Sequence, residues 1–156
     1  MLCDTDLLVS WRARPRSFVA LMSLYESNHV RFLRLAGDPA RLSGTLISRV
    51  PGDCELQLSV LEHMPYTSCL ELTYLLPADA AAASPELVQR IPNLRLRAYH
   101  DARLLEVECA PPLPAGRARQ AERELRQRWA RNMMLNKWLE YCAERGHRFA
   151  EQRSSD

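Results

Sequence analysis

The two residues with the most chemical potential in this chain are adjacent, His100 and Asp101. They sit in "YHDARLLEVE", between two strand-like runs. A carboxylate beside an imidazole can orient the ring and raise its pKa, and histidine is the usual general acid or base near neutral pH. Neighbours in an extended chain point to opposite faces, so the pair cooperates only if a turn rotates both side chains together. The competing reading is geometric: aspartate is a natural turn residue, and "HDAR" serves equally as a hairpin tip. A second candidate is a binding patch of Asn28, Glu62, Tyr66, Arg97 and Tyr99 with His100. Such a set can hold an anionic or hydrogen-bonding ligand, or it can be a buried polar network that fixes a helix on a sheet.

Other motifs are weaker. Glu26/His29 and Glu144/His147 both spell Glu-x-x-His, the spacing used by di-iron carboxylate bundles. The second copy contains Gly146, where a helix should stop, and the strands argue against a bundle. The cysteine and histidine spacings do not suggest zinc. A Gly-rich phosphate loop and a G-x-S-x-G elbow are also missing from the sequence. No cofactor and no metal are expected.

The elements that would position these residues are legible. "SFVALMSLYESNHVRFLRLAGD" reads as a helix capped by Ser17 and ended by Gly37. At about 100° per residue, Phe18, Leu21, Met22, Tyr25, Phe32, Leu33 and Leu35 share a face, with Asn28 and His29 inside it. "LSGTLISRV" reads as a strand followed by a Pro-Gly turn. Then Leu56, Leu58 and Val60 oppose Leu70, Leu72, Tyr74 and Leu76 across a hairpin closed by Met64-Pro65-Tyr66. "PADAAAASPELVQRIPN" reads as a loop with one short helix, Ser84 its cap and Pro85 its first residue.

A second hairpin pairs Tyr99 with Leu104, Ala98 with Leu105, Leu96 with Val107 and Leu94 with Cys109. The same register sets Arg97 against Glu106 and Arg95 against Glu108, so pattern and charge agree. A long helix from about Arg117 to Glu144 follows, with Gly146 as its stop. Leu125, Trp129, Leu135, Trp138, Leu139 and Cys142 fill one side, and Arg119, Arg123, Arg126 and Lys137 the other. The fold class expected is α+β: an N-terminal helix, an antiparallel sheet of about five strands, and a long C-terminal helix packed on it. The whole, 1–156, is expected as one domain with loose ends at 1–15 and 147–156.

Composition bounds the function. The chain has 156 residues, 47% hydrophobic and 26% charged, with net charge +2, so no global field marks a nucleic-acid binder. Six acids and no Lys or Arg lie between Pro51 and Glu86, and six Arg against Glu122 and Glu124 lie between Ala115 and Asn132. Lys137 stands alone against twenty arginines, a skew that reads as the codon bias of a GC-rich bacterial genome. Five cysteines without a C-x-x-C pair read as reduced thiols. With no signal-peptide pattern and no spanning run, the expected compartment is the cytoplasm.

"YESNHVRFLRL", "LSVLEHMPYT", "IPNLRLRAYHDARLLEVE" and "WLEYCAERG" resemble, in order and spacing, the YqiB-like bacterial family, a domain of unknown function. The resemblance runs from about Tyr25 to Gly146. Its most specific block is Arg97-x-Tyr99-His100-Asp101-Ala102 followed by Glu106-Val107. His29 departs from the pattern, which has an aromatic such as Phe there. The resemblance implies a small bacterial cytosolic protein and brings no activity or cofactor with it.

The expected function is a non-enzymatic binding or regulatory module, taking a protein partner or a small anionic ligand, as monomer or homodimer. One alternative is an enzyme, a hydrolase or a nucleotide-related activity, using His100 with Asp101, Glu62 or Tyr99. Another is nucleic-acid contact through the Arg side of the last helix, although aromatic interleaving and a groove-reading motif are missing there.

Overall fold

The computed structural model describes residues 17–76, 89–108 and 117–149. Helix α1 spans Phe18–Ala36 and helix α2 spans Arg117–Glu144. Between them come strands β1 (Thr45–Ser48), β2 (Glu55–His63), β3 (Thr67–Leu76), β4 (Gln89–Tyr99) and β5 (Leu104–Val107). They form one antiparallel sheet in the order β1-β2-β3-β4-β5. Both helices pack on one face of it, so the architecture is α+β as expected. No helix of the described residues is long and apolar enough to cross a membrane.

Helix α1 begins where the Ser17 hydroxyl accepts the Ala20 N–H at 3.0 Å. It ends at Gly37, whose φ of 80° lets its N–H reach the Leu33 carbonyl at 2.9 Å. The buried face is narrower than the sequence suggests. Leu33 is 40% exposed, because it lies about 120° round the helix from Leu21. Phe18 is 68% exposed, in the first turn. Leu24 and Ala20 are buried in their stead.

The sheet follows the hydrophobic alternation. Leu56 opposes Tyr74, Leu58 opposes Leu72 and Val60 opposes Leu70, and these side chains meet Leu96, Leu105 and Val107 in the core beneath Phe32, Leu135 and Leu139. Two slips depart from strict alternation. In β2, Val60 pairs with Leu70 but Glu62 with Cys69, so Leu61 is an extra residue. A one-residue slip exchanges faces: Glu62 turns outward and His63 takes the helix-facing side. In β4, Thr73 pairs with Asn93 and Leu75 with Arg90, leaving Ile91 and Pro92 opposite Tyr74. "QRIPN" reads as loop in the sequence, yet it opens β4. Pro92, which has no N–H to offer a ladder, is accommodated at the slip. The short helix expected at Ser84 and Pro85 lies outside the described residues, as does Cys109.

The β4–β5 register is the expected one, Tyr99 with Leu104, Ala98 with Leu105, Leu96 with Val107 and Arg97 with Glu106. The ionic partners are not. Arg97 bonds Glu108 at 2.7 Å, and Arg95 lies 4.0 Å from Glu71 on β3. Register fixes which Cβ atoms face each other, but long side chains reach diagonal neighbours as easily.

Helix α2 stops at Gly146, φ 95°, with Gly146 N–H bonded to Ala143 O and His147 N–H to Cys142 O. This paired closure turns the chain back onto the core. His147 and Phe149 are fully buried, and Phe149 N–H donates to Leu35 O at 2.8 Å. The loose end expected from residue 147 is therefore not found at 147–149, while 150–156 and the expected N-terminal end lie outside the described residues. Phe149→Ala should cost about 3–5 kcal/mol in urea denaturation; a loss under about 0.5 kcal/mol would mean that the segment does not close the core.

Candidate functional site

Helices α1 and α2 run side by side in the same direction, and three asparagines join them to the free edge of β5. Asn132 Oδ1 accepts the Val107 N–H at 3.0 Å, and Asn28 Nδ2 donates to Leu105 O at 3.3 Å. These are outward backbone groups of an edge strand, which would otherwise be open to pairing or to desolvation without a partner. Asn28 Nδ2 also lies 3.3 Å from Asn132 Oδ1, and Asn136 Nδ2 donates to Asn28 Oδ1 at 3.1 Å and to Ser27 Oγ at 2.9 Å. Asn132 Nδ2 reaches Arg128 O at 2.7 Å. Asn28 and Asn132 are entirely buried. Asn132→Ala should lose about 1–3 kcal/mol of stability and, by hydrogen exchange, deprotect the Val107 amide before those of β3.

One helical turn toward the helix starts, the same three elements diverge and leave a cleft of about 670 Å³. Its walls are apolar, from Phe18, Leu21, Met22, Leu104 and Leu125. Its polar lining comes from Tyr25, Tyr99, Arg97, Glu106, Glu124 and Arg128. Tyr99 donates its hydroxyl proton to Glu106 Oε1 at 2.6 Å. Glu106 Oε2 lies 3.7 Å from Arg128 Nη1, with the Glu106 side chain 14% exposed. Tyr25 is only 3% exposed, and its hydroxyl has no hydrogen-bond partner among the described residues. Burial, with the Glu106 charge adding, pushes the Tyr25 hydroxyl up to about 12 against the opposing effect of Arg128; both of these charged groups come near the hydroxyl without hydrogen-bond geometry. Burial and then the Glu106 hydrogen bond and charge likewise raise Tyr99.

His100 lies at the β4–β5 tip, between Tyr99 and Ala102, which both line the cleft. Its Nδ1–H donates to Pro65 O at 3.1 Å, and its Nε2 accepts from the Ser68 hydroxyl at 2.8 Å. Both ring nitrogens are thus occupied by groups other than Asp101, which is exposed at the β4–β5 tip. The order hydroxyl, imidazole, carbonyl resembles a nucleophile with its base and orienting group. Ser68, however, is fully buried in the strand row between His63 and Ala98. The bonds tie the β4–β5 tip to the β2–β3 tip, and His100 N–H adds a further one to Tyr66 O at 2.9 Å.

A similar chain of groups sits at the opposite corner. His147 Nδ1 meets Ser48 Oγ at 3.0 Å, and His147 Nε2 meets Asp53 Oδ2 at 2.9 Å. Asp53 can only accept, so Nε2 carries a proton toward the carboxylate, and Ser48 Oγ also accepts the Arg148 N–H at 3.2 Å. Tyr74 donates to Asp53 at 3.2 Å and the Cys142 thiol to Tyr74 at 3.3 Å. With His147 and Ser48 both buried, this cluster locks the end of α2 to the β1–β2 turn. Burial pushes the Cys142 thiol up to about 12, which leaves it an inert core group.

Burial tends to raise Asp53, but hydrogen bonds from the Cys54 amide, His147 and Tyr74 outweigh it and hold the carboxyl below its ordinary value. A carboxyl depressed on folding stabilises the fold above its unfolded pKa and loses that contribution as pH falls through the folded one. Asp53→Asn should therefore flatten the acid limb of stability against pH below about 4, read from urea midpoints at stepped pH.

The sequence-derived patch is divided by the fold. Arg97 and Tyr99 line the cleft. Asn28 is buried beside it in the asparagine network. Glu62 is exposed beyond Cys69 on the outer sheet face, and Tyr66 is exposed at the β2–β3 tip beside His100. His29 is nearly buried, and that burial, helped by Arg103 and opposed by Asp38, lowers its pKa. The two Glu-x-x-His motifs do not converge, since His147 is held by Ser48 and Asp53. Among the described residues no group of three or more His, Cys, Asp or Glu is placed to hold a metal ion. Sequence reasoning missed Tyr25, Glu106 and Arg128 as site residues, and Asn132 and Asn136 as network members. The asparagines had a signal: spaced by four, they fall on the stripe of Leu125, Trp129, Leu135 and Leu139.

The fold and site define an α+β protein with a helix pair clamped on the edge of a five-stranded meander and a cleft at that edge. The chain belongs to a family described as protein of unknown function (DUF1249), whose sequence pattern matches residues 31–148. No curated protein and no solved structure matches it.

Proposed function

We propose that the protein is a non-enzymatic binding module that takes a small amphipathic molecule into the α1–α2–β5 cleft. The observation that carries this reading is the Tyr25 hydroxyl, buried in the lining of an apolar-walled cleft without a hydrogen-bond partner among the described residues. A buried polar group left unsatisfied costs about 1–3 kcal/mol, and a ligand polar atom would recover that cost. A cleft of about 670 Å³ with convergent polar groups is the usual form of a small-molecule site. Arg97, from which an anionic ligand was expected, gives its Nε and Nη2 to Glu108 instead. The same reading keeps the protein in the bacterial cytosol among YqiB-like proteins, on the strength of the "RAYHDA" block and the arginine skew.

Titration of ¹⁵N-labelled protein with 3-phenylpropan-1-ol, an uncharged amphipath, tests the site. Shifts should cluster on Leu21, Leu104, Glu106 and Leu125 and vanish in Ala121→Trp, which fills the cleft. Shifts scattered over the surface, or unaffected by Ala121→Trp, would refute it.

A further inference from the structure

The charges around the cleft allow its ligand to be specified further, on the basis of the binding reading above. Arg97 and Arg128 line it together with Glu106 and Glu124. Arg97 is committed to Glu108 at 2.7 Å. Among the described lining residues this leaves two carboxylates facing one guanidinium. That guanidinium approaches Glu106 Oε2 only to 3.7 Å, beyond hydrogen-bond range. The other Glu106 oxygen is held in place by Tyr99. Glu106 Oε2 is therefore a fixed, largely desolvated acceptor with Arg128 as its ion-pair neighbour at 3.7 Å, and it lines the same cleft as the Tyr25 hydroxyl, which has no hydrogen-bond partner among the described residues.

An anionic head would meet a buried carboxylate at close range, which opposes binding. A neutral head would satisfy Tyr25 and leave the carboxylate as it is. An ammonium has three donors and a positive charge, and it can donate to Glu106 Oε2 and the Tyr25 oxygen together. We infer that the cleft recognises a primary amine carried on an apolar body: Glu106 and Tyr25 bind the ammonium, Tyr99 fixes the carboxylate, and Leu21, Leu104 and Leu125 take the apolar part. No bond is made or broken in this assignment.

Three isosteric probes separate the inference from the reading beneath it: 3-phenylpropylamine, 3-phenylpropan-1-ol and 3-phenylpropanoate, titrated calorimetrically at pH 7 against the full chain. The amine should bind at least about 10-fold more tightly than the alcohol, with the acid weakest. Glu106→Gln keeps an acceptor for Tyr99 and should erase the amine's advantage over the alcohol. Should that variant misfold, the N,N,N-trimethyl analogue of the amine tests the wild type instead: it keeps charge and apolar body but has no N–H to donate, so it should lose the amine's advantage, and binding as tight as the amine's would overturn the assignment. Equal binding of alcohol and amine in the cleft would overturn the amine assignment and leave the binding module standing. Preference for the acid would overturn it equally. Binding of none of the three would overturn both.

Discussion

The fold turns on how an exposed sheet edge is closed. Strand β5 is four residues long, and its outward amide at Val107 and carbonyl at Leu105 face the helix pair rather than another strand. Asn132 and Asn28 supply the partners, and Asn136 holds Asn28 in place from the next turn of α2. Asparagine suits this task because one side chain presents both an acceptor and donors. A half-satisfied network at this depth would be worse than an apolar contact, since each orphaned group carries its full desolvation cost. The arrangement therefore fixes the rotation and level of both helices relative to β5 more sharply than leucine packing alone.

The cleft follows from that constraint. With the helices clamped at the Asn28/Asn132 level, the turns before it cannot close on each other, and Phe18 is left exposed at the mouth. Glu106, between the two clamped residues of β5, is turned to the opposite side of the strand, where Tyr99 and Arg128 meet it. One strand thus carries structural contacts on its edge and a candidate recognition group on its face.

Much of the fold was legible in the sequence where several levels of pattern agreed. The register of Leu96–Ala98 against Leu105–Val107 follows from apolar alternation and opposite charges together, and the caps at Ser17, Gly37 and Gly146 from residue type. The slips at Leu61 and at Ile91-Pro92 were not legible, because a bulge leaves the composition of a strand unchanged while exchanging its faces. That exchange explains why Glu62 and His63 lie on sides opposite to those alternation would give. The site was less legible than the fold. His100 and Asp101 drew attention as reactive types, yet the imidazole is spent on Ser68 and Pro65. Tyr25 looked like an ordinary core aromatic, and only its three-dimensional surroundings show that its hydroxyl lacks a partner among the described residues. Glu106 looked like the ionic partner of Arg97, a pairing that side-chain reach, not register, decides.

The most direct test of this account is a double-mutant cycle between Asn28 and Asn132, comparing Asn28→Ala, Asn132→Ala and the double variant by urea denaturation. If the two amides close the β5 edge as one network, the single losses should be non-additive by about 0.5–3 kcal/mol. Losses that add to within about 0.3 kcal/mol would show two independent contacts and contradict the claim that one clamp sets the helix pair and the cleft it leaves open.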